Sequence, residues 1–280
     1  MSSVPATVHS PKKVGVDGLI GYGVFYLCFL YLPILLIPLF SFNDSVYIAF
    51  PIESFTLQWY TQMFEEDALH RSLFNSIKVA ACVSVISTIF GTLAAKAVTR
   101  YDLKWKGPLI AFIMIPFVIP GIILGISLLV LVNRLGMELS LITVGIGHTM
   151  IAIPFSMMVM ISRLEGFEKS LEEASLDLGE SGWSTFWRVT FPLAIPGIVS
   201  SLLLTFTLSF DEFLLAFFLT GHESTLPIYI FGQLRLPQKL PNVLALGSCI
   251  LAVSTVVIAL AEWMRRRSYK TDAGTGGGIG

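Results

Sequence analysis

Two neighbouring acidic residues, Asp211 and Glu212, interrupt an apolar run that extends from Leu193 to Leu219. An ionisable side chain inside such a run is costly to bury, so by default it marks a transport pathway or a buried charge pair. Successive residues of a helix point about 100° apart, so the two carboxylates are not expected to share one narrow stripe. One acid is predicted to face a pathway and the other to cap or pair at the edge, and the sequence does not choose between them. Hydroxyl side chains precede the acids on the adjoining helical faces: Ser200, Ser201, Thr205, Thr207 and Ser209.

A second stretch, EEASLDLGESGWSTFWRVTFP (Glu172–Pro192), is charged although strongly apolar segments flank it on both sides. Its first part predicts a short helix over 168–178, because Leu171, Ala174 and Leu178 recur on one face. Gly179 follows directly, and a glycine supplies the positive φ that a helix end usually needs. The stretch therefore predicts a tight turn after its first helix.

The second part of this stretch predicts another short helix over 182–189, which Ser181 can cap and Pro192 closes. This helix carries three aromatic side chains, Trp183, Phe186 and Trp187. An exposed apolar patch that is rimmed by charge is typical of a docking surface. The two predicted helices therefore form a hairpin that we expect to contact a partner protein.

Both features lie in a chain of 280 residues of which 54% are hydrophobic and 13% are charged. About 20 apolar residues cross a bilayer as a helix, and backbone groups in lipid must bond within the helix. The composition therefore predicts an all-α polytopic membrane protein with six transmembrane helices. Six runs qualify or nearly qualify: 18–43, 79–95, 107–133, 139–162, 189–210 with a continuation to 221, and 240–261.

The predicted domain organisation follows from these runs. Residues 18–264 form the transmembrane domain, which contains the polar loop 163–192. Residues 1–17 and 265–280 form an N-terminal and a C-terminal tail. Within the third run, Pro116 and Pro120 lie one turn apart, and proline in a membrane helix permits a kink. The spans are therefore expected to be bent.

Lysine and arginine predict the orientation, because cytoplasmic loops carry an excess of both. Six spans place the two termini on one side, and thirteen of the 18 Lys and Arg residues would lie on that side. Both termini and the loop 163–192 are therefore predicted to be cytoplasmic. Five cations would lie on the other side: Arg71, Lys78, Arg134, Arg235 and Lys239.

No catalytic constellation is recognisable, because the sequence has no phosphate-binding Gly-Lys-Ser/Thr loop, no nucleophile elbow and no HExxH motif. The three cysteines lack disulfide or metal-ligand spacing, so neither a metal nor a cofactor is predicted. His148 lies within the fourth run, where packing or a backbone hydrogen bond is the favoured interpretation and a place along a pathway is the other. The net charge of −1 speaks against nucleic acid as a partner. The chain is predicted not to be an enzyme.

The hairpin resembles the EAA loop of ABC-importer permeases, whose pattern is Glu-Ala-Ala, three residues, Gly, nine residues and Ile-x-Leu-Pro. Here Ser175 replaces the second Ala, Val189 replaces Ile and Phe191 replaces Leu. In that family the loop forms coupling helices that seat in a groove of a cytoplasmic ATPase. The resemblance implies that role for Glu173, Ala174, Ser175, Gly179, Trp183, Phe186, Val189 and Pro192.

The resemblance covers nearly the whole chain, through YLPILLIPLFSFNDS, NSIKVAACVSVISTIFGTLAAKAVTRY, IPFVIPGIILGISLL and TFTLSFDEFLLAFFLTG. These stretches are similar to permeases of the spermidine/putrescine type, and specifically to the C-type subunit, with a six-helix type I ABC importer fold. The resemblance implies a multi-pass protein of the bacterial inner membrane. It also implies partners, which are a second permease subunit, two cytoplasmic ATPase subunits, a periplasmic substrate-binding protein and membrane lipid. ATP hydrolysis would belong to the separate ATPase.

The resemblance also implies a cationic substrate, and carboxylates suit an ammonium group. Asp211, Glu212 and Thr207 are therefore the candidate pathway residues, while a salt bridge or a cap against the partner permease is the alternative for the acids. Related importers carry opines and other small solutes, so the exact substrate stays open. An ion-coupled secondary transporter is the rival class, but its inverted repeats and broken charged spans are not clear in this sequence.

Overall fold

The computed structural model describes residues 16–275, and these form helices joined by turns and short loops. Of the predicted N-terminal tail, 1–17, residues 1–15 lie outside the described residues, and the last two already belong to a helix that begins at Val16. The predicted C-terminal tail, 265–280, begins inside a helix that continues to Thr275, and 276–280 lie outside the described residues. The α-helices in chain order are α1 Val16–Ser41, α2 Gln58–Glu65, α3 Asp67–Arg100, α4 Lys106–Val118, α5 Gly121–Arg134, α6 Leu141–Glu165, α7 Ser170–Asp177, α8 Gly182–Thr185, α9 Phe191–Asp211, α10 Leu214–Leu219, α11 Leu226–Leu234 and α12 Leu240–Thr275.

These helices form two compact units. One unit combines α1, α2 and α12, where α1 and α2 each pack against α12. Gly247 permits a close approach, since a Cβ there would come within 3.2 Å of the Ile37 side chain. Trp59 of α2 is buried, and its Nε1 donates a hydrogen bond to the Asn43 carbonyl at 2.7 Å. The other unit extends from Glu66 to Arg235 and contains α3 to α11.

The predicted membrane spans correspond to five long apolar helices and one bent pair, which together make six spans when the pair counts as one. The pair is α4 and α5, which meet at an angle of 95°. Pro120 has no N–H to continue the helix, and the residue before a proline is driven out of helical geometry. Ile119 accordingly is extended, with φ −67° and ψ 132°. The all-α polytopic fold is confirmed, and the bend is much sharper than a proline kink within one helix.

The core of the larger unit is the packing of α3, α6 and α9 against one another. Small residues allow these helices to approach closely, as is typical of helix contacts in membranes. Gly91 of α3 faces α6, where a Cβ would come within 2.8 Å of the Met157 backbone nitrogen. At the centre, the Ser201 hydroxyl bonds to that of Thr88 at 3.0 Å and to that of Ser156 at 2.7 Å. Each of the three helices therefore contributes one hydroxyl to a single hydrogen-bonded cluster that connects them.

Candidate functional site

The hairpin between α6 and α9 begins as the sequence predicts. The first helix, expected over 168–178, is α7. Gly179 has φ +86°, so the predicted left-handed turn is confirmed. The Ser181 side chain then caps α8 by accepting a hydrogen bond from the Ser184 backbone nitrogen at 3.2 Å. The hydroxyls of Ser175 and Thr185, 3.0 Å apart, connect the two arms.

The second arm differs from the prediction of a helix over 182–189 that Pro192 closes. After α8 the chain makes a π-helical turn at Phe186–Thr190 and enters α9 directly, with Pro192 in its first turn. The Phe191 backbone nitrogen donates to the carbonyl of Phe186, five residues back. A wide turn of this kind accommodates a proline without ending the helix, because proline only lacks a donor at that position. The second arm is therefore the root of the fifth span and continues into it without a break.

The aromatic side chains of the hairpin divide into exposed and supported ones. Trp183 is 72% exposed, and Leu178 at the turn is 86% exposed. Phe186 is half-buried and lies under the Lys96 ammonium, 4.3 Å from the ring centroid. Trp187 packs against the root of α9, with its ring 4.8 Å from that of Phe191 and tilted by 53°, and it remains exposed. The outward apolar surface of the hairpin therefore includes Leu178, Trp183 and Trp187, while Phe186 lies beneath it.

Among the other residues that the loop pattern singles out, Glu173 and Ala174 are exposed, whereas Ser175 and Val189 are half-buried. The neighbouring Glu172, which the sequence analysis did not single out, is the acid that turns inward. Its carboxylate pairs with Arg100 at the end of α3, with Nε and Oε2 3.2 Å apart. Arg100 is the last residue of α3 and lies five positions beyond the predicted run 79–95, so no local pattern in the sequence connects it with Glu172.

The two acids of the fifth span occupy different conformations. Asp211 is the last residue of α9 and is exposed, while Glu212 is extended, with φ −71° and ψ 112°. Glu212 Oε1 accepts a hydrogen bond from the Leu215 backbone nitrogen at 3.2 Å and so caps the first turn of α10. The expectation that both acids sit on one continuous helix is therefore wrong, because the chain breaks between α9 and α10. The expectation that one of them caps a helix is confirmed for Glu212.

The hydroxyl residues before the acids lie on two different sides of α9, one exposed and one buried. Thr207 and Ser200 are exposed on the side of Asp211, whereas Thr205 and Ser209 are buried. His148 of α6 is also buried, and its Nδ1 lies 2.8 Å from the Ser209 hydroxyl. The interpretation of His148 as a packed, hydrogen-bonded residue is confirmed, with a side-chain hydroxyl as partner in place of a backbone group. The exposed side of α9 thus carries Asp211 and Thr207, and the structure does not bring Glu212 onto it.

Residues 87–269, which include the hairpin and the acidic pair, match the family described as binding-protein-dependent transport system inner membrane component. The chain belongs to this family. It is 31% identical over 279 residues to the putrescine transport system permease protein PotI of Escherichia coli (strain K12), covering 96% of each chain. It is 30% identical over 255 residues to the spermidine/putrescine transport system permease protein PotC of the same strain, covering 91% of this chain and 96% of the relative.

The fold is also that of a solved bacterial ABC transporter involved in the import of the acidic polysaccharide alginate. The TM-score is 0.68 at 20% identity, covering 93% of this chain and 99% of the other. A second structure of an alginate ABC transporter, in complex with an alginate pentasaccharide-bound periplasmic protein, gives a TM-score of 0.69 at 17% identity, covering 89% and 93%. The resemblance to ABC-importer permeases is therefore confirmed, and this protein is a transmembrane permease subunit of such an importer.

Proposed function

We propose that this permease subunit imports polyamines such as putrescine and spermidine, or a related cationic amine. The permeases PotI and PotC support this substrate class by their names and by their similarity along nearly the whole chain. The fold alone does not select a charge, since a transporter of an acidic polysaccharide shares it. The choice of a cation therefore depends on side chains of this chain.

The observation that carries the choice is the exposure of Asp211 at the end of an apolar helix. A carboxylate at this place would attract an ammonium group in surroundings of low dielectric, where the interaction is much stronger than in water. Thr207, one turn earlier on the same side, offers a hydroxyl to the same ligand. Glu212 is given a structural role and no place in the pathway, because its carboxylate caps α10. The pathway residues are thus Asp211 and Thr207.

The complex that this function requires contains a second permease subunit, two ATPase subunits and a periplasmic binding protein in the bacterial inner membrane. The hairpin is the proposed seat of the ATPase, through Glu173, Ala174, Ser175, Gly179, Trp183, Phe186, Val189 and Pro192. Exposed Trp183 and Leu178 support this role, since aromatic anchors surrounded by polar groups are typical of binding hot spots. This arrangement places the hairpin and both termini in the cytoplasm, in agreement with the excess of Lys and Arg on that side.

Uptake into lipid vesicles tests the substrate. The permease pair is purified with its ATPase, reconstituted, and supplied with its binding protein and labelled putrescine. We expect ATP-dependent uptake that unlabelled spermidine inhibits and an acidic oligosaccharide does not. Uptake of the acidic oligosaccharide in place of putrescine would contradict the proposal.

Replacement of the turn glycine tests the role of the hairpin. Gly179→Val places a β-branched side chain at φ +86°, a conformation that such residues rarely adopt. We expect both ATPase co-purification and uptake to fall while the amount of protein in the membrane stays unchanged, because the spans are untouched. Gly182→Ala is the matched control, since Gly182 lies at a helix start where a Cβ meets nothing within 4 Å. Parental uptake by Gly179→Val at parental expression would contradict the proposed seat.

A further inference from the structure

Two charged side chains near the end of α3 contact the hairpin: Lys96, which lies over the Phe186 ring, and Arg100. Arg100, the last residue of α3, pairs with Glu172 of α7, and the two side chains are only 6% and 13% exposed. The Arg100 Nη2 also donates to the Leu164 carbonyl at 2.9 Å, and its guanidinium lies 4.5 Å from the Phe167 ring centroid. Leu164 lies in the last turn of α6, and Phe167 is the second residue after that helix. Arg100 therefore joins α3, α7 and the end of α6.

Glu172 extends this connection to the fifth span. Its Oε1 accepts a hydrogen bond from the Thr190 hydroxyl at 2.8 Å, while its Oε2 faces Arg100. Thr190 is buried and ends the π-helical turn from which α9 begins. A single carboxylate of the hairpin is thus ion-paired with the last residue of one span and accepts a hydrogen bond from the root of another.

The bundle itself has other contacts at the same level. Arg163 of α6 donates to the Leu193 carbonyl of α9 from Nη2 at 2.7 Å and from Nε at 3.1 Å. Deeper in the bundle, hydroxyls join α3, α6 and α9 through Ser201. The spans are therefore held together independently of Glu172. What Glu172 adds is a connection between α7 and the three spans.

We propose that Arg100, Glu172 and Thr190 form a transmission joint, in which they are positioning residues that pass a displacement of α7 to the ends of α3, α6 and α9. A buried ion pair combined with a charge-assisted hydrogen bond suits this task, because both are strong when shielded from water and the hydrogen bond is directional, whereas apolar side chains can slide past one another. A network of this kind carries coupling when the element it contacts has two positions. The inference rests on the proposed function, in which the ATPase moves the hairpin.

The hairpin contains a matched control for this joint. Arg188 and Glu180 form a second ion pair within the same loop, but their side chains are 72% and 35% exposed. Both residues lie within the hairpin and its direct continuation into α9, so their pair connects none of the other spans. Exposed pairs of this kind contribute little. Removing this pair alters the charge of the hairpin without touching the joint.

The test compares Glu172→Gln with Glu180→Gln in the reconstituted complex with binding protein. Gln keeps an acceptor for Thr190 and loses the ion pair with Arg100. Three quantities are measured: the ATPase that co-purifies with the permease pair, the thermal stability of the pair, and the putrescine imported per ATP hydrolysed. For Glu172→Gln we expect the ATPase to co-purify in the parental ratio and the import per ATP to fall by roughly tenfold, within the range typical of coupling between two sites. Glu180→Gln should match the parent in all three.

A second variant covers the case in which Glu172→Gln lowers expression. Thr190→Val has nearly the same shape, leaves the Arg100–Glu172 pair intact and breaks the bond to α9 alone. We expect it to lower the import per ATP by a smaller factor at parental stability. Parental coupling in Glu172→Gln, or in Thr190→Val where Glu172→Gln is not recovered, would overturn the joint. An equal loss of coupling in Glu180→Gln would also overturn it. If the parental permease pair binds no ATPase, the proposed function fails instead.

Discussion

The two sides of the helix that runs from Gly182 to Asp211 carry the same kinds of residue and use them differently. On the inward side, the Ser201 hydroxyl reaches Thr88 and Ser156 on two other helices. On the outward side, the Thr207 hydroxyl bonds back to the Leu203 carbonyl of its own helix at 2.9 Å. The Ser201 hydroxyl therefore joins helices, while the Thr207 hydroxyl is satisfied within its own helix and its oxygen remains available to a ligand. A polar residue in a span indicates a pathway only when its side chain does not bond to another helix of the same subunit.

The largest loss of stability is expected from a bulky side chain at the close contact between α3 and α6, inside the bundle that the inward side of α9 joins. Gly91→Val adds a Cβ within 2.8 Å of the Met157 backbone nitrogen, so α3 and α6 must separate. Overpacking of a close helix contact costs about 3 kcal/mol of stability. We expect a marked loss of folded permease, measured by thermal unfolding in detergent, and little recovery of the complex. Gly107→Ala, where a Cβ meets nothing within 4 Å, is the control, and equal stability of the two variants would refute close packing at Gly91.

On the outward side, at the root of the same helix, two aromatic residues sharpen the comparison. Trp183 is exposed, so Trp183→Ala should weaken ATPase binding by about 2 kcal/mol, as the loss of a hot-spot aromatic does. Phe186 is half-buried, and its ring contacts the Lys96 ammonium of α3. Phe186→Ala should therefore mainly lower the thermal stability of the permease pair. Titration of the ATPase against each pair, together with unfolding of the pair alone, separates the two effects. The reverse pattern would mean that Phe186 is the anchor.

The sequence predicted what depends on local pattern. Apolar length indicated the spans, Gly179 indicated a positive φ, and Ser181 indicated a cap, all of which the structure confirms. The predictions from the sequence were wrong where packing against distant parts of the chain determines the backbone conformation. The break after Asp211 depends on the packing of α10 against α5 and α6. The helix continues through Pro192 because it widens into a π-helical turn just before it, whereas the local pattern predicted that Pro192 ends the helix. Arg100 and Glu172 are 72 positions apart, so their pairing is visible only once α3 and α7 are folded.

The acidic end of the outward side gives the next effect in size. Asp211→Asn removes the charge with little change of shape, so the barrier to passage of a cation should rise. We expect putrescine uptake to fall by roughly tenfold, which corresponds to about 1.4 kcal/mol in the barrier. The ATPase should still co-purify, because Asp211 is remote in sequence from the hairpin and lies at the opposite end of α9. Vesicles of matched permease content provide the measurement.

Glu212→Gln is the matched control for Asp211. The amide oxygen of Gln can still accept the hydrogen bond from Leu215, so the cap of α10 is retained while the charge is lost. We expect uptake near the parental rate. If Glu212→Gln impairs uptake and Asp211→Asn does not, the assignment of the pathway to the exposed side of α9 is wrong. If neither variant impairs uptake, both acids are structural.

The smallest effect compares two hydroxyls of α9 that face opposite sides. Ser201→Ala removes the hydroxyl that joins Thr88 and Ser156 and leaves both without this buried partner. Loss of a buried hydrogen bond costs about 1 kcal/mol, so the melting temperature of the permease pair should fall. Thr207→Val removes a hydroxyl that bonds only back to its own helix, and its melting temperature should equal that of the parent. Its effect should appear in transport alone, as weaker apparent affinity for putrescine at unchanged stability. Equal melting temperatures for the two variants would show that the inward hydroxyls do not hold the helices together, and the distinction between the two sides would then rest on Asp211 alone.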